Sequence, residues 1–177
     1  MRKVEVMPFS ERWSLAYQKE AAVLQEMFGA EIIEIHHIGS TSVQGLSAKP
    51  IIDIMPVVKD ILRIKQYNVS MAEIGYEAKG ENGIAGRCYF QKGGNERTHH
   101  VHIYEKGSPE IDRHLAFRDY LRAYPKMAKR YGDLKERLAQ QYPYDIESYI
   151  KGKEQLALQI EREAVVWHRE VMGKGID

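Results

Sequence analysis

Apolar residues recur at helical spacing from Trp13 through Tyr17, Ala21 and Leu24 to Phe28, which predicts an amphipathic helix with Ser10 as its cap and Gly29 as its stop. The pattern then turns β-like over about 31–38 and 51–58. A glycine-punctuated stretch follows, with room for two more strands near 74–79 and 86–92 and a hairpin across Gly80 to Gly86. From Arg97 to Glu105 the residues alternate, Val101 and Ile103 on one face and His100, His102 and Tyr104 on the other. Ser108-Pro109 reads as a helix start and Pro125 as the end of that helix. A second helix carries Met127, Tyr131, Leu134 and Leu138. A third, after Pro143, carries Ile146, Ile150, Leu156, Ile160, Ala164 and Trp167. The expected architecture is α+β: a mixed sheet with an N-terminal helix and three C-terminal helices. It reads as one domain over 1–177, with the sheet in 1–107 and the helical part in 108–177 packed on it.

Composition narrows the function classes. Lys and Arg number 26 against 25 acids, a formal charge of +1, so long nucleic acid is not the default partner. A single cysteine, Cys88, excludes an internal disulfide framework and suits a reducing compartment. The start, Met-Arg-Lys-Val-Glu-Val-Met-Pro, has no apolar signal core, and no run approaches the roughly 18 apolar residues of a membrane span. A cytoplasmic protein is the simplest expectation.

The chemistry concentrates in His36-His37-Ile38-Gly39-Ser40-Thr41-Ser42-Val43 and Lys49-Pro50-Ile51-Ile52-Asp53-Ile54-Met55. Gly39 permits a tight turn and a close ligand, and the amides and hydroxyls of Ser40, Thr41 and Ser42 suit a phosphate. His37 is expected to fix this turn by hydrogen bonding. Asp53 projects from an apolar strand, where a carboxylate needs a partner such as a cation. The strand carrying Asp53 is expected to run beside the turn, so that one charged guest, a phosphate with its divalent ion, meets both.

Gly39-Ser40, 12 intervening residues and then Asp53 resemble the signature of DNA-polymerase-β-type nucleotidyltransferases. More narrowly, His37-Ile38-Gly39-Ser40-Thr41-Ser42-Val43, Gly45-Leu46 and Ala48-Lys49-Pro50-Ile51-Ile52-Asp53 resemble the GrpB family, a branch with that fold. The likeness continues through His100-Val101-His102, Gly107-Ser108, Arg113-His114-Leu115, Phe117-Arg118-Asp119-Tyr120-Leu121-Arg122, Tyr131 and Leu134-Lys135. It takes in Trp13 near the start and Lys153 and Trp167 near the end. The resemblance implies a nucleotidyltransferase-like fold, an NTP-type ligand and Mg²⁺; in some bacteria a similar domain is fused to dephospho-CoA kinase, which adds a coenzyme-A-related molecule as an alternative ligand. Transferases of this fold carry a second acid two residues after the first, and Met55 stands there. Two unit charges 4 Å apart interact by roughly 4 kcal/mol at an effective dielectric near 20, so the missing carboxylate weakens a two-metal site considerably.

Five of the seven histidines fall in two clusters, His36-His37 and His99-His100-His102. His100 and His102 share a strand face and can converge on a metal, where imidazole favours Zn²⁺ or Mn²⁺ over Mg²⁺. The alternative is a polar sheet face of hydrogen-bonded imidazoles. Arg118 falls near the middle of an apolar helix stripe, either to clamp a phosphate or pair with Asp53, or to lay its stem on the core and snorkel outward. Lys153 shows the same anomaly on the last helix, and Lys49 and Lys135 are further phosphate candidates. Arg87 and Tyr89 share a strand face suited to phosphate contact and base stacking.

Three readings follow. The first is an NTP-binding protein that transfers a nucleotidyl group to an acceptor, with Asp53, Ser40 and Arg118 as catalytic residues. The second is a sensing module that kept the phosphate pocket and lost the metal chemistry. The third is a metal-dependent phosphoesterase built on Asp53, His100 and His102. The base, the acceptor and the oligomeric state are not written in the sequence.

Overall fold

The computed structural model describes residues 2–173. They form two compact units, each described by itself. The strand unit comprises Glu11–Ile38 and Ile51–Ile111; the helical unit comprises the residues before Glu11, the segment Gly39–Pro50 and the chain from Asp112 onward.

The strand unit holds α1 (Arg12–Phe28), β1 (Ile32–Ile38), β2 (Ile52–Val58), α2 (Asn68–Glu73), β3 (Tyr76–Ala78), β4 (Arg87–Lys92) and β5 (His99–Glu105). Its five-stranded sheet has the order β1-β2-β5-β4-β3, parallel between β2 and β5 and antiparallel elsewhere. This is the mixed sheet of an α+β protein, and all five strands fall on the segments expected from their patterns. The hairpin across Gly80 to Gly86 forms as β3 and β4, with Tyr76 opposite Lys92. Pro56 sits in the interior strand β2, and the β2–β5 ladder passes from Ile54–Val101 to Val57–Tyr104, skipping the proline that has no N–H to give.

Helix α1 buries Trp13, Ala21, Leu24 and Phe28, the stripe its spacing foretold, and packs on β1 and β2. Its N-cap is Glu11 rather than Ser10, and Glu11 makes no side-chain cap bond. Glu20 is buried on the same helix, which the spacing alone did not flag. The stretch after β2 is also helical: Asp60 accepts from the Leu62 N–H at 2.9 Å and starts a short 3₁₀ segment leading into α2. Of the apolar residues in that region only Ile64 and Met71 are buried, which leaves a short stripe.

The helical unit is built on α3 (Pro109–Ala123), whose first turn lies in the strand unit, α4 (Pro125–Gln141) and α5 (Ile146–Gly173). The Ser108 hydroxyl accepts from the Glu110 N–H at 3.3 Å, the expected cap. One core joins Val43 and Leu46 to Ala116, Leu121, Tyr131, Leu156 and Ile160; a smaller one joins Val4, Leu138 and Tyr149. On α5 the buried face begins with Tyr149 instead of Ile146 and Ile150, which are exposed. Two glycines set the spacing. A Cβ at Gly152 would come 2.5 Å from Leu138 Cδ2, and one at Gly132 would come 3.3 Å from Leu46 Cδ1. Both positions therefore let neighbouring chain approach a helix surface closely. No helix among the described residues is long and apolar enough to cross a membrane.

Candidate functional site

In the strand unit, β-sheet register brings the predicted acid and histidines together. Asp53 lies opposite Ile38 on β1 and opposite His100 on β5, and His102 follows one pleat further on the same face. Asp53 Oδ1 is 2.9 Å from His102 Nε2 and 3.4 Å from His100 Nδ1. Burial pushes the Asp53 carboxyl upward, but the hydrogen bonds from His100 and His102 outweigh it and hold the group well below the ordinary carboxylate range. The acid is therefore ionised and already partnered.

The next partner fixes the imidazole's proton. Arg87 Nη1 lies 3.3 Å from His102 Nδ1, and a guanidinium only donates, so Nδ1 accepts and Nε2 carries the proton facing Asp53. Arg87 itself is buried and pinned: Nε donates to the Glu81 carbonyl at 3.1 Å and Nη2 to the Asn82 carbonyl at 2.8 Å. Its guanidinium lies 4.6 Å from the centroid of the Tyr89 ring. Thus the structure commits Arg87 and Tyr89 to this chain of contacts, with Tyr89 packed 5.2 Å from His102 and 5.7 Å from His100. His37 points to the other face of the sheet, where its ring stacks on Tyr17 at 4.6 Å and 10°.

A ligand atom from each of Asp53, His100 and His102 can be chosen so that all lie within 4.8 Å of one another. The donor set of one carboxylate and two imidazoles fits a divalent ion, and His100 Nε2 is one of two buried side-chain nitrogens without a hydrogen-bond partner among the described residues. That atom is a lone pair in search of a proton donor or a metal. For either histidine to share an ion with Asp53 through the nitrogen that faces it, the ion would replace that nitrogen's hydrogen bond to Oδ1.

In the helical unit, Gly39 adopts φ 72° and ψ −175°, open to glycine and costly for other residues. It opens a three-residue 3₁₀ turn over Ser40–Ser42. The Ser42 amide and hydroxyl both donate to the Gly39 carbonyl, and the Val43 amide donates to the Ser40 carbonyl at 3.2 Å. The Ser42 carbonyl in turn accepts from Arg122 Nε at 3.0 Å and Nη2 at 2.7 Å. Ser42 is thereby spent on the turn, while Thr41 beside it is also buried. Arg122, which is not among the candidate site residues, is the residue that grips this turn. Arg118 Nε donates to Asp119 Oδ1 at 2.8 Å.

The three lysines singled out from sequence also converge. Lys135, on α4, is 2 % exposed, with Nζ 4.6 Å from the Tyr131 ring centroid one turn earlier. Lys49 Nζ and Lys153 Nζ lie 5.3 Å and 5.5 Å from the centroid of the buried Tyr149 ring. Burial first, then the charges of Lys153 and Lys49, press the Lys135 ammonium well below the ordinary lysine range, and no acid is among the groups that set its charge. Burial also pushes the Tyr131 hydroxyl up to about 12.

The family model described as GrpB protein matches residues 3–163. UPF0157 protein YqkA of Bacillus subtilis is 52 % identical over 168 residues, 95 % of this chain; the chain spans only 49 % of that relative's length. Glutamate-rich protein GrpB of Alkalihalophilus pseudofirmus is 34 % identical over 89 % of this chain and 94 % of its own. Among solved structures, the conserved protein GrpB from Enterococcus faecalis superposes with a TM-score of 0.89 at 42 % identity, covering 93 % of this chain and 99 % of that one. A much weaker likeness, TM-score 0.48 at 14 % identity over 73 % of this chain and 40 % of the other, is to Cid1 in complex with its short product ApU.

Proposed function

The chain belongs to the GrpB family, and on that premise we propose that it binds a nucleoside triphosphate or related nucleotide together with a divalent metal ion, in the manner of a nucleotidyltransferase. The observation that carries the reading is Asp53: an ionised strand carboxylate beside His100, whose buried Nε2 has no partner. Asp53 and His100 would hold the ion, with His102 kept in place by Arg87 as a proton donor toward Asp53. When bound, the ion supplies positive charge to phosphate oxygens. Mg²⁺ is the ion the family resemblance implies; the nitrogen donor favours Mn²⁺ or Zn²⁺.

The chain's own residues do the rest. His100 and His102 keep Asp53 ionised and point its carboxylate along the sheet face. In the helical unit, the Gly39 turn with Ser40 and Thr41 is the phosphate-binding candidate, its shape held by Arg122. Ser40 and Arg118 are the candidates there for stabilising charge on a transferring phosphate.

Thermal-shift titration tests the reading, with a panel of nucleotides and coenzyme-A precursors, each with Mg²⁺, Mn²⁺, Zn²⁺ or EDTA. A ligand specific to the folded chain raises its melting temperature by mass action. At least one nucleotide should do so only with an ion present, and Asp53→Asn should abolish that ion-dependent part. If no nucleotide shifts the protein with any ion, or if Asp53→Asn responds as the wild type does, the proposal is wrong.

Met55 favours a second reading, binding or sensing without transfer. It is fully buried on the strand at the place of the second acid, so the site has one carboxylate where transfer chemistry uses two. Pyrophosphate release by the wild-type chain with any NTP and acceptor would eliminate the binding-only form. Nucleotide binding with no release across the same panel would eliminate the transferase.

A further inference from the structure

Trp167 and Tyr120 belong to the family likeness, yet neither has a part in the metal or phosphate reading. They meet in the helical unit around a cavity of about 510 Å³, shared by α3, by Tyr124 at its junction with α4, and by α5. The ring centroids of Tyr120 and Tyr124 are 4.7 Å apart, and the Trp167 ring lies 5.8 Å from the first and 6.0 Å from the second. The indole stands at 70° and 76° to the two phenol rings, which are at 39° to each other, so two aromatic walls meet close to a right angle. Tyr124 is exposed, and the corner is open to water. Acids flank it. Glu163, Trp167 and Glu170 recur at helical spacing on α5, and both carboxylates line the cavity. Tyr120 Oη donates to Glu163 Oε2 at 2.8 Å, and that bond holds the Glu163 carboxyl below the ordinary glutamate range, so the acid is ionised beside the rings. Arg162 lines the cavity as well and its charge bears on Glu163; two carboxylates against one guanidinium leave the lining negative. Elsewhere the chain sets its own cations over its tyrosines: Arg87 over Tyr89, Lys92 over Tyr76, Lys135 over Tyr131, and Lys49 and Lys153 over Tyr149. Among the described residues no such cation lies over Tyr120, Tyr124 or Trp167.

We propose that Tyr120, Tyr124 and Trp167, with Glu163 and Glu170, form a binding site for a small methylated ammonium compound. Aromatic faces attract a cation through the ring quadrupole, with tryptophan the strongest, and the carboxylates add long-range attraction of the same sign. A quaternary ammonium spreads its charge over methyl groups that pack on rings and is weakly hydrated, so it loses little on leaving water; a bare ammonium loses more. The cavity volume falls in the usual range of small-molecule sites. This inference uses neither Asp53 nor the Gly39 turn and stands apart from the nucleotide reading.

Proton NMR of choline titrated with the whole chain reads the site directly, because methyl protons held over ring faces move upfield. The N-methyl signal should shift and saturate with the wild type. The neutral isostere 3,3-dimethylbutan-1-ol, of the same shape without the charge, should bind about tenfold more weakly. Tyr124→Leu should weaken choline binding about tenfold, while Tyr144→Leu, at an exposed tyrosine outside the cavity lining, should leave it unchanged. Glu170→Gln, an exposed change on α5, should weaken it about threefold and tests the charge even if Tyr124→Leu loses its fold. An absent or unsaturable shift, equal binding of the neutral isostere, or equal weakening by Tyr144→Leu and Tyr124→Leu overturns the site.

Discussion

Two buried charged clusters in this molecule solve opposite problems. In the strand unit an acid, two imidazoles and a guanidinium form a relay in which the imidazoles give Asp53 donors, Arg87 gives His102 a donor, and two backbone carbonyls receive what Arg87 has left. In the helical unit Lys135 is more deeply enclosed than Asp53, and its charged neighbours share its sign. Burial among like charges disfavours the Lys135 ammonium, so it carries a cost that the hydrogen-bonded Asp53 does not. A satisfied network fixes a structure; a buried ammonium whose charged neighbours share its sign is held at a cost.

The same substitution should therefore act with opposite sign in the two places. Arg87→Met removes a buried cation that satisfies two carbonyls and an imidazole, and is expected to destabilise the chain by about 3–5 kcal/mol, the range for breaking one side of a buried charged network. Lys135→Met removes a buried cation that satisfies no acid, and is expected to stabilise it by about 1–4 kcal/mol, the range seen when an ionic group gives way to a packed apolar one. Urea unfolding of both variants, followed by midpoint and slope, checks the pair. If both lose stability, Lys135 has a compensating partner and the contrast between the clusters collapses.

Asp53→Asn should have a smaller effect, about 1.5–3 kcal/mol of lost stability, because Asn keeps an acceptor for one imidazole and loses the charge that draws both. The sign with pH follows from the lowered carboxyl. The unfolded chain takes up the proton first as pH falls, so the stabilisation from ionised Asp53 is complete above the ordinary aspartate range near 4 and is lost below it. The stability gap between wild type and Asp53→Asn should accordingly narrow from pH 5 to pH 3. For Lys135 the folded form holds its proton less tightly than the unfolded chain, so its penalty applies at neutral pH and fades as pH rises toward the ordinary lysine range near 10. The gain from Lys135→Met should shrink between pH 8 and pH 10. A gap that moved the other way at either end would mean that the group is partnered differently from what its contacts indicate.

Much of this was legible in the chain. Strict alternation placed His100 and His102 on one face of β5, and a two-residue period cannot put them anywhere else once the strand forms. Asp53 between isoleucines announced a buried acid in need of a partner. What the sequence could not give was the cross-strand register that sets Asp53 opposite His100, since β2 and β5 are parallel neighbours joined through forty residues of intervening chain. Arg87 was read as a phosphate contact because its face was visible and its hairpin carbonyl partners were not. Lys153 stood out as a charge on an apolar stripe and Lys135 as a further phosphate candidate, but the packing around them depends on Gly132 and Gly152, two helical glycines whose lack of a Cβ draws notice only when the neighbouring Leu46 and Leu138 are seen. The α2 segment was missed because six residues with one buried apolar side chain, Met71, leave no period to read.

The strand unit offers a second buried acid on which the contrast turns more finely. Glu20 of α1 accepts from Tyr76 Oη at 2.8 Å and from Lys92 Nζ at 3.0 Å, and Lys92 Nζ also lies 5.3 Å from the Tyr76 ring centroid. Burial raises the Glu20 carboxyl, yet the bonds from Tyr76 and Lys92 overcome it and lower the group below the ordinary glutamate range. Here a lysine beside a tyrosine ring has an acid, which is what Lys135 beside Tyr131 lacks. Tyr76→Phe keeps the ring and the Lys92 contact and removes one donor, so the expected cost is about 1 kcal/mol. The carboxyl, left with one strong partner instead of two, should titrate higher, and the acid limb of the stability curve should move to higher pH by the same linkage that governs Asp53. Carboxyl-resolved NMR titration of Glu20 in wild type and Tyr76→Phe reads both effects in one residue. An unshifted titration would mean that Lys92 alone holds the acid ionised, and that a single ammonium over a tyrosine ring is enough to anchor a buried carboxylate.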